Sequence, residues 1–363
     1  MNILVDVGHP GHVHLLKNVI HILKKKGHRV WVTVKDIPVA KFLLEKEGID
    51  YISLGKKADS LWGKAFSQLT YNYEVWKLVR KNKITLGIGS SITLAHVSKI
   101  SRMKSIILDD DDDEVQPLFV RWGHPFADTI LSPSALIGHR KSRKTIFYAG
   151  YHELGYLHPR RFIPQSAILG EIGIKEGTPF FIMRFNVFKA HHDVGAVGLS
   201  VDQKIRLVNL LQKYGKVFIT TERDIEPELK DYQLLISPEK THHLMYYATM
   251  FLGDSQTMTS EAAVLGTPAL RYNSFVGRIS YLNEEEEKYE LTYGFRPGCF
   301  EEMLNEIESL LQDSNLKKKW QSRQKRMLND KIDVTGFLIW FIENYPKSVQ
   351  VMKMNPHYQY SFK

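Results

Sequence analysis

The sequence predicts an α/β fold in two domains, each built on a parallel sheet. Short apolar runs alternate with helical stretches along most of the chain, and the alternation thins between Ser134 and Gly177 before it resumes. The 363 residues, 43% hydrophobic and 25% charged, are also more than one core usually organises.

"NILVDV" opens as a buried strand, and Leu15, Leu16, Val19, Ile20 and Leu23 follow at helical spacing until Gly27 stops the helix. "RVWVTV" is the next strand. The order recurs in "AKFLLEKEG" before "IDYISL", "NYEVWKLVRKN" before "ITLGIG", and "ITLAHVSKISR" before "KSIIL". Alternation of this kind places helices on both faces of a parallel sheet. "KSRKTIFYAGYHELGYLHPRRFIP" is rich in Gly, Pro, Tyr and basic residues and has no apolar period, so it reads as a crossing between domains. Beyond it "PFFIMRF", "KVFITT", "QLLIS" and "MFLGD" read as strands, separated by helices such as "SVDQKIRLVNLLQKYG". The expected division is an N-terminal domain over residues 1–155, a second over 156–330, and a C-terminal helix and tail, 331–363, packing back on the first. The last dozen residues carry no pattern.

The single cysteine, Cys299, rules out an internal disulfide framework and suits a reducing compartment, so the cytoplasm is the expected location. "MNILVDVGHPGH" runs straight into a strand without a leader-like apolar region. The apolar run "FLIWFI" is far short of the ~20 residues that span a bilayer. A net charge of +9 invites an anionic partner. No zinc-finger spacing or nucleic-acid module accompanies it, and nucleic acid is not expected. "SLWGKAFSQLTYNYEVWKLVRKNK" mixes aromatics with basic residues, as a peripheral membrane interface or a lipid-linked acceptor would require, although at helical spacing such aromatics also form core.

Five stretches carry candidate chemistry. In "GDSQTMTSEAAVLGTPAL" a strand leads through a polar turn into a small-residue helix, whose free amides and positive end attract phosphate. Gly253 permits close approach, Ser255, Gln256 and Thr257 offer donors beside Met258, and Glu261 lies one turn later; a plain N-cap at Ser255 explains the turn equally. "DVGHPGHVH" places His9 and His12 in a Gly-opened turn after the first strand, where an imidazole suits general-base work. Neither a Walker loop nor a G-x-G-x-x-G fingerprint is present. "LDDDDDE" packs Asp109 to Glu114 so tightly that some carboxylates must be solvated, bind a cation or meet basic groups; Asp111 is the candidate for orienting a histidine or an acceptor hydroxyl. "MRFNVFKAHHDVG" gathers Arg184, Lys189, His191, His192 and Asp193, with Arg184 matched to phosphate, and a zinc site there lacks spaced third and fourth ligands. "SPEKTHHLMYYA", with His242, could line a nucleobase slot.

"YAGYHELGYLHPRRFIP", "RFNVFKAHHDVGAVGLS" and "GDSQTMTSEAAVLGTPALR", in this order and preceded by "DDDDDE", resemble a prokaryotic family of unknown function labelled as predicted glycosyltransferases. More distantly, "GHPGHVHLLKNVIHILKKKGHRV" and "SQTMTSEAAVLGTPAL" look like the paired motifs of two-domain GT-B enzymes, among them UDP-N-acetylglucosamine 2-epimerase and the N-acetylglucosaminyltransferase that forms lipid II. The resemblance implies a GT-B fold: two Rossmann-like domains whose parallel sheets face a central cleft. It implies a nucleotide-sugar donor on the second domain, with Ser255, Gln256 and Thr257 at the diphosphate, Glu261 at the ribose, and a glycan or lipid-linked acceptor. His12 is then the candidate base and His9 its substitute, with neither metal nor other cofactor. Ser90 and Ser91 stand where the epimerase pattern places an acidic residue, which argues against 2-epimerisation.

Overall fold

A computed structural model describes residues 1–55, 61–185, 198–221 and 225–363, with the backbone alone for 61–66. The chain divides into two compact units, Met1–Arg161 with Lys331–Lys363, and Phe162–Asp330.

The first unit holds a seven-stranded sheet in the order β3-β2-β1-β4-β5-β6-β7. Its strands are β1 (Asn2–Val7), β2 (Arg29–Val34), β3 (Ile52–Ser53), β4 (Leu86–Gly89), β5 (Lys104–Leu108), β6 (Thr129–Pro133) and β7 (Thr145–Tyr148). Every pairing is parallel. Helices α1 (Pro10–Lys25), α2 (Pro38–Lys46), α3 (Leu61–Asn82), α4 (Ile92–Lys99) and α5 (Pro117–Trp122) connect them. α1 starts where Pro10 presets the helical backbone angle, and it buries Val13, Leu15, Leu16, Val19, Ile20 and Leu23. Leu4, Tyr71, Val75, Val79, Leu94, Met103 and Ile107 form one core cluster between sheet and helices.

The second unit holds five parallel strands in the order β12-β11-β10-β8-β9. They are β8 (Phe180–Phe185), β9 (Lys216–Thr221), β10 (Met250–Gly253), β11 (Ala269–Tyr272) and β12 (Thr292–Phe295). Its helices include α6 (Ile168–Glu171), α7 (Val201–Leu211), α8 (Thr241–Tyr247) and α9 (Gln256–Leu265). A full capping box, Ser200 with Gln203, starts α7.

Several expectations change. The supposed crossing contains β7 and a buried 3-10 turn, His152–Gly155, so the first unit runs on to Arg161. β6 and β7 lie in stretches without a simple apolar period, and β12 was hidden in "LTYGF". "QLLIS" is not a strand. It makes one bridge, Gln233 to Ile219, and Leu235 is 86% exposed. The tail is ordered as a helix over Lys347–Met354 and 3-10 turns over Pro356–Phe362.

Candidate functional site

In an open parallel sheet, ligand loops gather beyond the carboxyl ends of the strands, where the strand order reverses. The first sheet reverses between β1 and β4, the second between β8 and β10. The same local device stands at both points. Gly89 pairs with Asp6 at the end of β4, and Gly253 pairs with Arg184 at the end of β10. A Cβ on Gly89 would lie 2.3 Å from the Asp6 carbonyl oxygen, and one on Gly253 2.1 Å from that of Arg184, with φ of +152° and +156°. Only glycine fits there. Two residues on, Ser91 and Ser255 cap the following helices, their hydroxyls accepting from the amides of Leu94 at 3.4 Å and Met258 at 3.3 Å.

In the second unit, Ser255 is therefore a true N-cap, and the Met258 amide is taken by it. The amides of Gln256 and Thr257 have no acceptor within the helix, as in any first turn. Residues 256–258 are half-exposed, while Asp254, Ser255 and Glu261 are buried. His242 and Glu261, chosen separately from sequence, meet at 2.9 Å between Nε2 and Oε1. Arg184, half-buried on β8, Gly253 and Arg271 lie side by side across three strands. Sequence reading missed Arg271. Its guanidinium is fully buried with, among the described residues, one long polar contact, 3.5 Å to Glu286, and burial pulls its pKa down while Glu286 holds it up. Lys189, His191, His192 and Asp193 fall outside the described residues.

In the first unit the acidic run turns inward. Asp109, Asp112 and Asp113 are buried, and basic side chains meet them. Arg140 reaches Asp109 Oδ2 at 2.8 Å and Asp113 Oδ1 at 2.5 Å, and donates to the carbonyls of Asp109 and Asp111 at 3.2 and 2.7 Å. His124 Nε2 lies 2.7 Å from Asp109 Oδ2. The oxygens of Asp109, Asp110 and Asp111 lie within 4.8 Å of one another, a spacing that suits a cation, but the Arg140 guanidinium already pairs with Asp109, and His124 contacts the same carboxylate. Asp111, the residue expected to orient a histidine, pairs with none among the described residues. Burial, then the charges of Asp110 and Asp109, push its carboxyl well above the ordinary range against the pull of Arg140.

Asp110 takes that role instead. Its Oδ2 lies 2.9 Å from Nδ1 of His152, on the 3-10 turn after β7. Burial pushes the Asp110 carboxyl up, but the charge and hydrogen bond of His152 outweigh it and hold it below its usual value. An ionised carboxylate only accepts, so Nδ1 carries a proton, and in the neutral ring Nε2 is the nitrogen with the lone pair. Nε2 is buried with no hydrogen-bond partner among the described residues. The Tyr148 hydroxyl is buried likewise, and burial together with Asp110, Glu153 and Asp109 raises its pKa well above the usual value. No periodic signal marks His152; a histidine just past the run "TIFY" was the available clue.

His12 lies beside this pair and behaves differently. The Gly8 amide donates to its Nδ1 at 3.2 Å, so the neutral ring carries its proton on Nε2. Burial lowers its pKa to about 3, with His9 and His152 adding to the shift and Asp110 opposing it. His9 is exposed and caps α1, its Nδ1 accepting from the Gly11 amide at 3.1 Å.

This two-sheet architecture is shared with solved structures. An S. aureus MnaA–UDP co-structure aligns with a TM-score of 0.66 at 12% identity, over 96% of this chain and 97% of that one. UDP-GlcNAc 2-epimerase from Neisseria meningitidis bound to UDP-GlcNAc aligns at 0.65 and 12% identity, over 95% and 100%. A glycosyltransferase from Rickettsia africae aligns at 0.61 and 13%, over 96% and 98%. At such identities the likeness establishes the fold, which is GT-B. No curated protein matches the sequence. The model of one family, described as protein of unknown function (DUF354), matches residues 1–334, and the chain belongs to that family.

Proposed function

We propose that the protein is a glycosyltransferase, moving a sugar from a nucleotide-sugar donor to a hydroxyl of a glycan or lipid-linked acceptor. The observation that carries this is the Asp110–His152 pair, a histidine whose tautomer is fixed by a carboxylate and whose Nε2 is without a partner among the described residues. In this reading Nε2 takes the proton from the attacking hydroxyl, and Asp110 stabilises the imidazolium that forms. His12 is a weak base at its lowered pKa and serves as a hydrogen-bond donor through Nε2. The base expected at His12 thus moves to His152.

On the second unit, the Gln256 and Thr257 amides and the Arg184 guanidinium would receive the departing diphosphate, where negative charge grows as the glycosidic bond breaks. Glu261, held by His242, would accept from a ribose hydroxyl. The named likeness to a 2-epimerase favours a second reading, isomerisation of the donor sugar itself. A panel of nucleotide sugars, incubated with and without glycan and lipid-linked acceptors, separates the two. Transfer predicts nucleotide release that depends on acceptor; an isomerised donor without acceptor supports the second reading. If no nucleotide or nucleotide sugar raises the melting temperature, both fail.

A further inference from the structure

Exposed apolar residues on the first unit are mostly scattered, as on any surface. One group is contiguous. Leu69 and Tyr73 on α3, Ile100 after α4, Leu118 and Trp122 on α5, and Phe126 just beyond are between 37% and 67% exposed. Contacts beneath them join the three helices. Tyr73 stacks on Trp76 at 6.2 Å, and the Trp76 indole donates to the Ile100 carbonyl at 3.3 Å. His96 bridges to Asn72 at 3.1 Å and to the Trp122 carbonyl at 2.8 Å, and packs edge-on against Phe126 at 4.9 Å.

Cations lie on the aromatics. Lys77 sits over Tyr73 at 5.4 Å, Arg80 over Trp76 at 4.9 Å and Arg121 over Trp122 at 5.8 Å. Glu74 is the sole carboxylate of α3. Trp76 packs partly on the core, but core packing asks nothing of Leu69 and Tyr73: Tyr71, Val75 and Val79 already form the buried stripe of the same helix.

We propose that this face docks on an anionic phospholipid surface. Aromatic rings with a polar edge suit the headgroup layer, and cations beside them pair with lipid phosphates. The exposed Leu69, Ile100 and Leu118 fit acyl chains and offer nothing to a nucleic-acid base. No helix among the described residues is long and apolar enough to cross a membrane, so the contact is peripheral. The proposal stands apart from the reaction proposed above, since it uses none of those residues.

The test is co-sedimentation of the full chain with vesicles of phosphatidylcholine, alone or mixed with phosphatidylglycerol. Binding is expected to the mixed vesicles and to weaken with salt. Tyr73→Ser with Trp122→Ser, and separately Arg80→Glu with Arg121→Glu, should each lower partitioning roughly tenfold or more, since each cation near such a surface contributes roughly fivefold. Leu235→Ser, at an exposed position on the second unit, should change nothing. Unchanged melting temperatures would show that every variant folds. Equal binding to neutral vesicles, no binding, or full binding by either double variant overturns the proposal. So does a dimer in sedimentation velocity that Trp122→Ser dissolves, or a single-stranded RNA affinity that exceeds vesicle binding and is lost in the same variants.

Discussion

His152 donates from Nδ1 to Asp110 Oδ2 across 2.9 Å, and the carboxylate comes from the loop after β5 while the imidazole comes from the turn after β7. Two distant segments thus fix one tautomer. Replacing His152 by Asn removes the free lone pair; replacing Asp110 by Asn puts an amide where an acceptor is needed and turns the ring's proton pattern around. Each change should lower turnover by roughly 10²–10⁴-fold, the range of a lost general base. Nucleotide affinity should hold within about twofold, because the donor contacts proposed lie on the other unit. The double variant should be no worse than either single one. Losses that multiply, or turnover that survives, would remove the pair from the chemistry.

The cluster behind it makes a stability prediction. Arg140 is buried against Asp109, Asp113 and two carbonyls. Arg140→Met strands carboxylates in the interior, and removal of one partner from such a network costs about 3–5 kcal/mol. The Arg206–Glu301 pair has comparable distances, 2.7 and 2.9 Å, but is solvated on both sides. Arg206→Met should leave the urea midpoint in place. Equal effects from the two substitutions would contradict the burial argument.

Gly253 is a third point of leverage. Alanine there would drive a methyl into the Arg184 carbonyl and take a φ that side chains avoid, so at least about 2 kcal/mol of stability should be lost. Gly170, in α6, faces open space where an added methyl would sit and gains helix propensity instead, so Gly170→Ala should be neutral or stabilise by up to about 1 kcal/mol. Urea titration of both variants checks the contrast.

Acid should weaken the fold through His12. Its native pKa of about 3 lies below the ordinary 6.5, so between these values the unfolded chain binds a proton that the native ring refuses. Stability therefore falls as pH drops from 6.5 towards 3, by about 1.4 kcal/mol per pH unit for this group. Asp110, held low, acts in the same direction as pH falls through its native value, and Asp111, held high, in the opposite one. His12→Gln can still accept from the Gly8 amide but does not titrate. Between about pH 6 and 4 its urea midpoint should shift less than that of the parent; identical shifts would show that His12 is protonated normally.

What the sequence made legible follows from physics that is local. Strands such as "NILVDV" and the stripe on α1 repeat with a fixed period, and the turn at Gly253 to Ser255 is a contiguous signal of strand, glycine and cap. The acidic run gave only its repulsion. That Asp109 and Asp113 would meet Arg140, and Asp110 would meet His152, depends on β5, β6 and β7 lying side by side, a long-range fact that no window contains. The sequence points to Asp111, whereas Asp109 meets His124 and Asp110 meets His152, because a run of identical side chains does not say which of them faces a histidine.

Ser255 decides between a plain helix cap and a phosphate cradle. Its hydroxyl accepts from the Met258 amide at 3.3 Å, a contact that stabilises the helix start whatever binds nearby. Aspartate caps as well as serine, so Ser255→Asp should preserve the melting temperature. It also adds a negative charge beside the Gln256 and Thr257 amides. If those amides receive a diphosphate, nucleotide affinity should fall at least about tenfold by calorimetry, and Ser255→Gly, a weaker but uncharged cap, should lose far less. If Ser255→Asp binds as tightly as the parent, the turn is a cap alone and the diphosphate must be held elsewhere.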